Sequence, residues 1–177
     1  MQWTKILTPL AASALLAMAA LPAQAQNSGD DTLLEMQQAY RKGDRKKLTQ
    51  LLPAARGHVL EPWAAYWELR ARLDEAQPQE LQDFFTRYAG TYQEDRLRND
   101  WLLLLGQRRD WSQFAEQHPS YRMSDDREVR CYALLIDHIK GTAPATVADD
   151  VRSNWYAIRD ADDGCTHAAR ELYGYKK

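Results

Sequence analysis

The chain has 177 residues, 23 basic and 25 acidic, and a formal net charge of -2. That balance leaves no basic footprint for nucleic acid and no polybasic segment for an anionic membrane surface. The length suits one domain with a real core.

The first twenty-five residues read as a secretory signal peptide rather than as fold. Lys5 supplies a positive start, ILTPLAASALLAMAALPAQA is apolar and rich in small residues, and Ala23-Gln24-Ala25 gives the A-x-A cleavage pattern. Thr8, Pro9 and Ser13 interrupt the apolar run, which argues against a retained transmembrane anchor. No Cys lies near the cleavage site, which argues against a lipid anchor. The expectation is residues 1–25 as signal peptide and residues 26–177 as an exported helical domain.

Nearly everything after residue 30 carries helical periodicity. Asp30 or Asp31 is placed to cap a first helix, with Leu33, Met36, Ala39 and Tyr40 on one face and a break at Gly43. Asp44 caps a short second helix bearing Leu48, Leu51 and Leu52, with Pro53 as its stop. Pro62 fits the first turn of a third helix, where its missing N–H has no partner to lose. Pro78 opens a fourth helix with Leu81, Phe84, Phe85 and Tyr88 in register, and Gly90 ends it. A fifth runs from about Glu94 to Gln107 with Leu97, Trp101, Leu104 and Leu105 as its stripe. Asp110 caps a sixth carrying Trp111, Phe114 and Ala115, closed by Pro119. The seventh spans about Asp125 to Lys140 and stops at Gly141. Pro144 opens an eighth with Val147, Val151, Trp155 and Ile158, and a ninth reaches from near Cys165 to Tyr173.

No segment alternates with period two, so the fold class is all-α. The linkers AYRKGDRKKLTQLL, LGQRRDWSQFAEQHP and HIKGTAPATVADDV repeat one pattern: an amphipathic helix ending in a basic residue, a tight turn, then a second amphipathic stretch. Hairpin ends recur at about 30 residues. A single hairpin cannot bury its apolar face, whereas stacked neighbours can, so the expected architecture is an α-superhelix, a solenoid of stacked helical hairpins.

The stretch HVLEPWAAYWELRARL raises the one functional question the composition allows. Trp63, Tyr66 and Trp67 beside Glu61, Glu68 and Arg70 are what a sugar-binding groove needs, and equally what a packed helix needs. Trp63, Tyr66, Trp67 and Arg70 fall at i, i+3, i+4 and i+7, so packing against neighbouring helices is the expectation and sugar contact the rival. Arg70 is then placed to pair with Asp74, four residues on.

Other chemistry is thin. The adjacent acids Asp125–Asp126, Asp149–Asp150 and Asp162–Asp163 point about 100° apart on a helix, and the first pair suits helix capping. Glu61 and Glu68 are separated by about 10 Å along a helix axis, at or beyond the spacing of glycosidase carboxylates. DADDGCTHAARE resembles a calcium loop but has Gly164 and Cys165 where an oxygen ligand and the turn glycine belong. His58, His118, His138 and His167 are scattered. No phosphate loop and no G-x-S-x-G elbow occur, so no catalytic, cofactor-binding or metal-binding residue is assigned and no cofactor is expected. Cys131 and Cys165 are the only cysteines, and an exported chain with one pair most often bridges them, contributing about 3–4 kcal/mol. Metal ligation and redox exchange are the rival uses, although no C-x-x-C is present.

EPWAAYWELRARL, RRDWSQFAEQHP, EVRCYALLIDHIKG and GCTHAARELY, in that order behind a signal peptide, resemble the N-terminal helical region of soluble lytic murein transglycosylases. The features in common are the Pro62-started helix with Trp63, Tyr66 and Trp67, the Arg109-Asp110-Trp111 turn, Cys131 before Tyr132, and Cys165 downstream. The resemblance implies a periplasmic α-superhelix, the U-domain, which closes into a ring under a lysozyme-like catalytic domain. That family cleaves the β-1,4 bond between N-acetylmuramic acid and N-acetylglucosamine and leaves 1,6-anhydro ends. Its catalytic Glu precedes Ser, with Gly-Leu-Met-Gln further on. No Glu in this chain precedes Ser and no Gly-Leu-Met-Gln occurs, so no catalytic residue transfers. The resemblance thus implies an opening U-domain segment over 26–177 without its catalytic domain, inactive alone. It would scaffold an enzyme whose partner is the peptidoglycan glycan strand, and it could self-associate. The alternative is a stand-alone periplasmic α-solenoid that binds a protein partner.

Overall fold

The computed structural model describes residues 22–143, 145–157 and 159–174, with side chains from residue 29 onward. Most of the expected signal peptide, together with Pro144, Ile158 and Tyr175, lies outside the described residues.

Nine α-helices and one 3-10 turn make up the regular structure among the described residues, and no strand occurs there. They are α1 (Pro22–Arg41), α2 (Arg45–Ala55), α3 (Glu61–Ala71), α4 (Pro78–Arg87), α5 (Tyr92–Arg108), α6 (Trp111–Gln117), α7 (Arg127–Ile139), α8 (Val147–Tyr156) and α9 (Asp163–Tyr173). Side-chain oxygens start most of them. Asp44, Asp110, Asp126 and Asp162 accept from the backbone N–H groups of Lys47, Gln113, Glu128 with Val129, and Cys165. Gly43, at φ 69°, closes the α1–α2 turn in the left-handed region that glycine tolerates.

The odd-numbered helices form one layer. α1 packs on α3, α3 on α5, α5 on α7 and α7 on α9. Contacts near their starts and their ends keep the same order. Asp30 meets His58, just before α3, and Tyr40 meets Trp67; Trp63 meets Tyr92 and Arg70 meets Asp100. Asn99 donates to Asp126, Gly106 abuts Tyr132, and Gly164 donates to Glu128. All five odd helices therefore run parallel. The even helices return between them, which is the connectivity of stacked hairpins expected for a solenoid. Leu33, Met36 and Leu48 bury the first hairpin, Leu97, Leu102, Phe114 and Tyr132 the centre, and Cys131, Leu135, Val151 and Cys165 the last.

Cys131 and Cys165 are joined by a disulfide, with Cα atoms 4.9 Å apart and both residues fully buried. It ties α7 to α9 across 34 positions of sequence.

Three local expectations are corrected. Asp30 and Asp31 do not start a helix, because α1 already runs from Pro22; Asp30 instead lies 2.8 Å from His58 Nε2. Pro53 does not stop α2, which continues to Ala55. Proline removes one N–H close to the helix end, and the fully buried Ala55 holds the last turn in place. Arg70 does not pair with Asp74. Asp74 lies past the end of α3, out of helical register, and accepts Arg45 at 3.2 Å, while Arg70 Nε reaches Asp100 at 3.1 Å.

Candidate functional site

Parallel packing of α1, α3 and α5 sets their aromatic positions side by side. Tyr66 turns inward and is buried, while Trp63 and Trp67 keep part of their surface and Tyr92 is 53% exposed. Tyr40, Trp67, Trp63 and Tyr92 form a continuous series across the three helices. Successive ring centroids are 6.3, 5.9 and 5.7 Å apart, and successive planes differ by 27°, 31° and 42°. Such spacings are those of offset rings rather than superposed ones.

Charged groups adjoin the rings. Asp100, with a side chain 5% exposed, accepts from the Tyr66 hydroxyl at 2.8 Å and from Arg70 Nε at 3.1 Å. Arg96 lies close enough for its charge to act on the Tyr66 hydroxyl and on Asp100. Burial, and then the Asp100 charge, push the Tyr66 hydroxyl well above the ordinary tyrosine range, so it stays a neutral donor. Burial works against the Arg96 charge, but Asp100 and Tyr66 outweigh it and hold that guanidinium more firmly cationic. The result is a ring strip with a locked Asp–Tyr pair and two arginines on its flank.

Other polar clusters are structural. Glu61 accepts from Gly57 N, Tyr88 and Arg87 at 2.7, 2.7 and 2.6 Å; burial pushes its carboxyl up, and these three donors more than reverse that. Glu68 accepts from Thr49 at 2.9 Å and Arg72 at 2.7 Å. Neither glutamate is left free for catalysis. Asp95 accepts two backbone N–H groups, from Arg122 and Met123, and pins the loop before α7 to α5. At the α7–α9 junction Asp163 takes Arg109 and Tyr132, and burial pushes the Glu128 and Asp162 carboxyls up. Asp126 and Asp162 there are helix caps, and Asp125 accepts the Tyr121 hydroxyl. The DADDGCTHAARE segment is therefore a capped helix start. Among the described residues no group of three or more His, Cys, Asp or Glu is spaced to hold a metal ion.

Of the residues singled out by sequence, Trp63, Tyr66 and Trp67 lie together in the strip, with Arg70 at its flank. Tyr92, Arg96 and Asp100 escaped notice as its other side. Their signal was present, since they stand four residues apart on α5 and share one helical face. His58, His118, His138 and His167 occupy separate places: His118 stacks on Phe114 and His167 on Trp111. A second concavity, an apolar groove of about 240 Å³, is lined by Leu33, Leu34, Leu60 and Trp67, with Asp30 and Gln37 at its edge. No helix among the described residues is long and apolar enough to cross a membrane. Compared with family models, with curated proteins and with solved structures, the chain matches none.

Proposed function

We propose that this chain is the opening part of the superhelical U-domain of a periplasmic lytic transglycosylase and serves it as a scaffold. The observation that carries the reading is where the resembling stretches sit in the array. Pro62 begins α3, the Arg109-Asp110 turn begins α6, and Cys131 and Cys165 lock α7 to α9. Pro62 and the disulfide thus lie where successive hairpins meet, and the Arg109-Asp110 turn closes the α5–α6 hairpin. The disulfide supports an oxidising, exported setting, and the A-x-A segment supports export by a cleaved signal. The 177 residues contain neither a Glu-Ser step nor Gly-Leu-Met-Gln, so glycan cleavage belongs to other sequence.

The test is the coding DNA beyond codon 177. An in-frame continuation into a region with Glu-Ser and Gly-Leu-Met-Gln is expected. A stop at that point overturns the reading. In parallel, the purified chain should release no 1,6-anhydro-muropeptide from murein sacculi by mass spectrometry, and turnover by the chain alone would refute a scaffold role.

The apolar groove of Leu33, Leu34 and Leu60 favours a second reading, a stand-alone periplasmic solenoid that takes up an amphipathic helix of a protein partner.

A further inference from the structure

We infer that the apolar groove between α1 and α3 binds one amphipathic helix of another protein, with acidic residues in its first turn and basic residues in its last, lying antiparallel to α1. This goes beyond the scaffold role and names the partner chemistry of the solenoid reading, on which it rests. Met36 and Ala39 turn into the core shared with α2, while Asp30, Leu34, Gln37 and Arg41 lie on the opposite side of α1. Those four stand at i, i+4, i+7 and i+11, and the first three line the groove. Leu33 and Trp67 also line it, with Leu34 on the α1 side and Leu60 on the α3 side, 58% and 45% exposed. Val59, 85% exposed, extends the apolar surface beside Leu60. A volume of about 240 Å³ falls below that of ordinary small-molecule pockets. A stripe of three helical turns between two parallel helices instead suits the apolar face of a third.

The two ends of the stripe carry opposite charge. Asp30 marks its start, with a side chain 64% exposed. Leu60 N–H donates to His58 Nδ1 at 3.0 Å, which leaves the proton on Nε2 to donate to Asp30 at 2.8 Å. The ring thus orients the carboxylate without cancelling its charge. Asp31, exposed beside it, adds a second anionic side chain. About 16 Å along the axis, Arg41 is exposed and joins none of the ion pairs among the described residues. Helices favour acids in the first turn and bases in the last, because those charges complement the macrodipole. A helix antiparallel to α1 therefore sets its acidic turn at Arg41 and its basic turn at Asp30 and Asp31. The same helix laid parallel meets like charge at both ends.

The test titrates labelled synthetic peptides of about 18 residues with the full chain purified from the periplasm, in about 0.15 M salt, and reads fluorescence anisotropy. Three peptides carry leucines at i, i+3, i+4 and i+7. One of them has glutamates in the first turn and lysines in the last, one has glutamates at both ends, and one has lysines at both. A fourth has the composition of the first with its leucines scattered over all faces. The first is expected to saturate with Kd below about 100 µM, about fivefold tighter than either singly charged peptide, and the scattered one not to saturate. Leu34→Glu should weaken the first by at least about tenfold with unchanged circular dichroism and melting. Arg41→Gln should abolish its advantage over the lysine peptide and keep its advantage over the glutamate peptide. Ile139→Glu, an exposed change at the end of α7, should bind as the wild type does. No saturable binding of the first peptide, or binding unmoved by Leu34→Glu, overturns the proposal, and equal affinity for the first three overturns the assigned partner chemistry. Dimers at the assay concentration that Leu34→Glu abolishes, with no peptide bound, would give the groove to a second copy and overturn it as well. Coding DNA that runs on into a catalytic region ends the stand-alone reading whether or not the peptide binds, so the two failures are told apart.

Discussion

Gly106 shows how much one position in α5 decides. An ideal Cβ there would lie 2.3 Å from the Tyr132 ring, and Tyr132 is fully buried. In an exposed helix, alanine in place of glycine would stabilise by about 1 kcal/mol. Here the ring cannot withdraw, so Gly106→Ala is expected to destabilise the protein by about 1–3 kcal/mol. Urea unfolding with an unchanged m-value checks this, and a variant as stable as the wild type would show that α5 and α7 can move apart. The sequence alone presented Gly106 as an ordinary helix residue, because the atom that forbids a side chain belongs to a helix 26 positions later. Arg109 makes the complementary case. It sits at φ 61° and binds Asp163 through both terminal nitrogens, at 2.6 and 3.0 Å. That hydrogen bond, against opposing burial, holds the Asp163 carboxyl below the usual range. The stabilisation is therefore present above the unfolded carboxylate pKa, about 3.9, and is lost as pH falls through the lower folded value. Arg109→Gln should lower the melting temperature at pH 7, with the gap to wild type closing below about pH 4. A gap that stays constant between pH 7 and pH 3 would mean the ion pair is not its source.

At the scale of elements, the helices were legible and their lateral partners were not. Asp44 and Asp110, both read from sequence as caps, each fix a start by a bond spanning three residues, which is local information. The charge pairs are different. Arg70 was assigned to Asp74 by helical spacing, yet it crosses to Asp100, because a nearly buried carboxylate draws the nearest cation whatever its place in the chain. Half of the candidate strip was missed for the same reason: Tyr92, Arg96 and Asp100 acquire meaning only once α5 lies parallel to α3. The α7–α9 disulfide is the element-scale feature that sequence did indicate, since two cysteines allow one pairing within the chain. α8 and α9 bury a small separate cluster around it. The double variant Cys131→Ser, Cys165→Ser should therefore lose about 2–4 kcal/mol, less any strain relieved. Hydrogen exchange should show the loss concentrated in α8 and α9, with α1–α3 protection unchanged, as in arrays whose units contact only near neighbours. Uniform loss along the whole chain would contradict a solenoid.

The whole molecule is polar along its stacking direction. Residues 30–56 of the first hairpin carry six basic against four acidic side chains, net +2, whereas residues 125–174, the last three helices and their turns, carry ten acidic against six basic, net -4. Apolar side chains stand exposed toward both regions: Leu34, Val59 and Leu60 in the first, Ile139 and Tyr156 in the second. Opposite charge and exposed apolar surface at the two ends favour a head-to-tail contact between copies, the arrangement that lets an array bury its terminal faces. Most of these charges are exposed, so their attraction is screened over about 10 Å at 0.1 M salt. Sedimentation velocity should therefore show association rising with protein concentration toward about 100 µM in low salt, consistent with a weak contact, and falling as salt is added. The double variant Leu34→Glu, Leu60→Glu removes the apolar half of the contact and cancels the net positive charge of the basic end, and it should sediment as a monomer under every condition. Wild type that stays monomeric at low salt would show that the exposed residues at the two ends do not meet. Association that is indifferent to both salt and the double variant would place the contact elsewhere on the molecule.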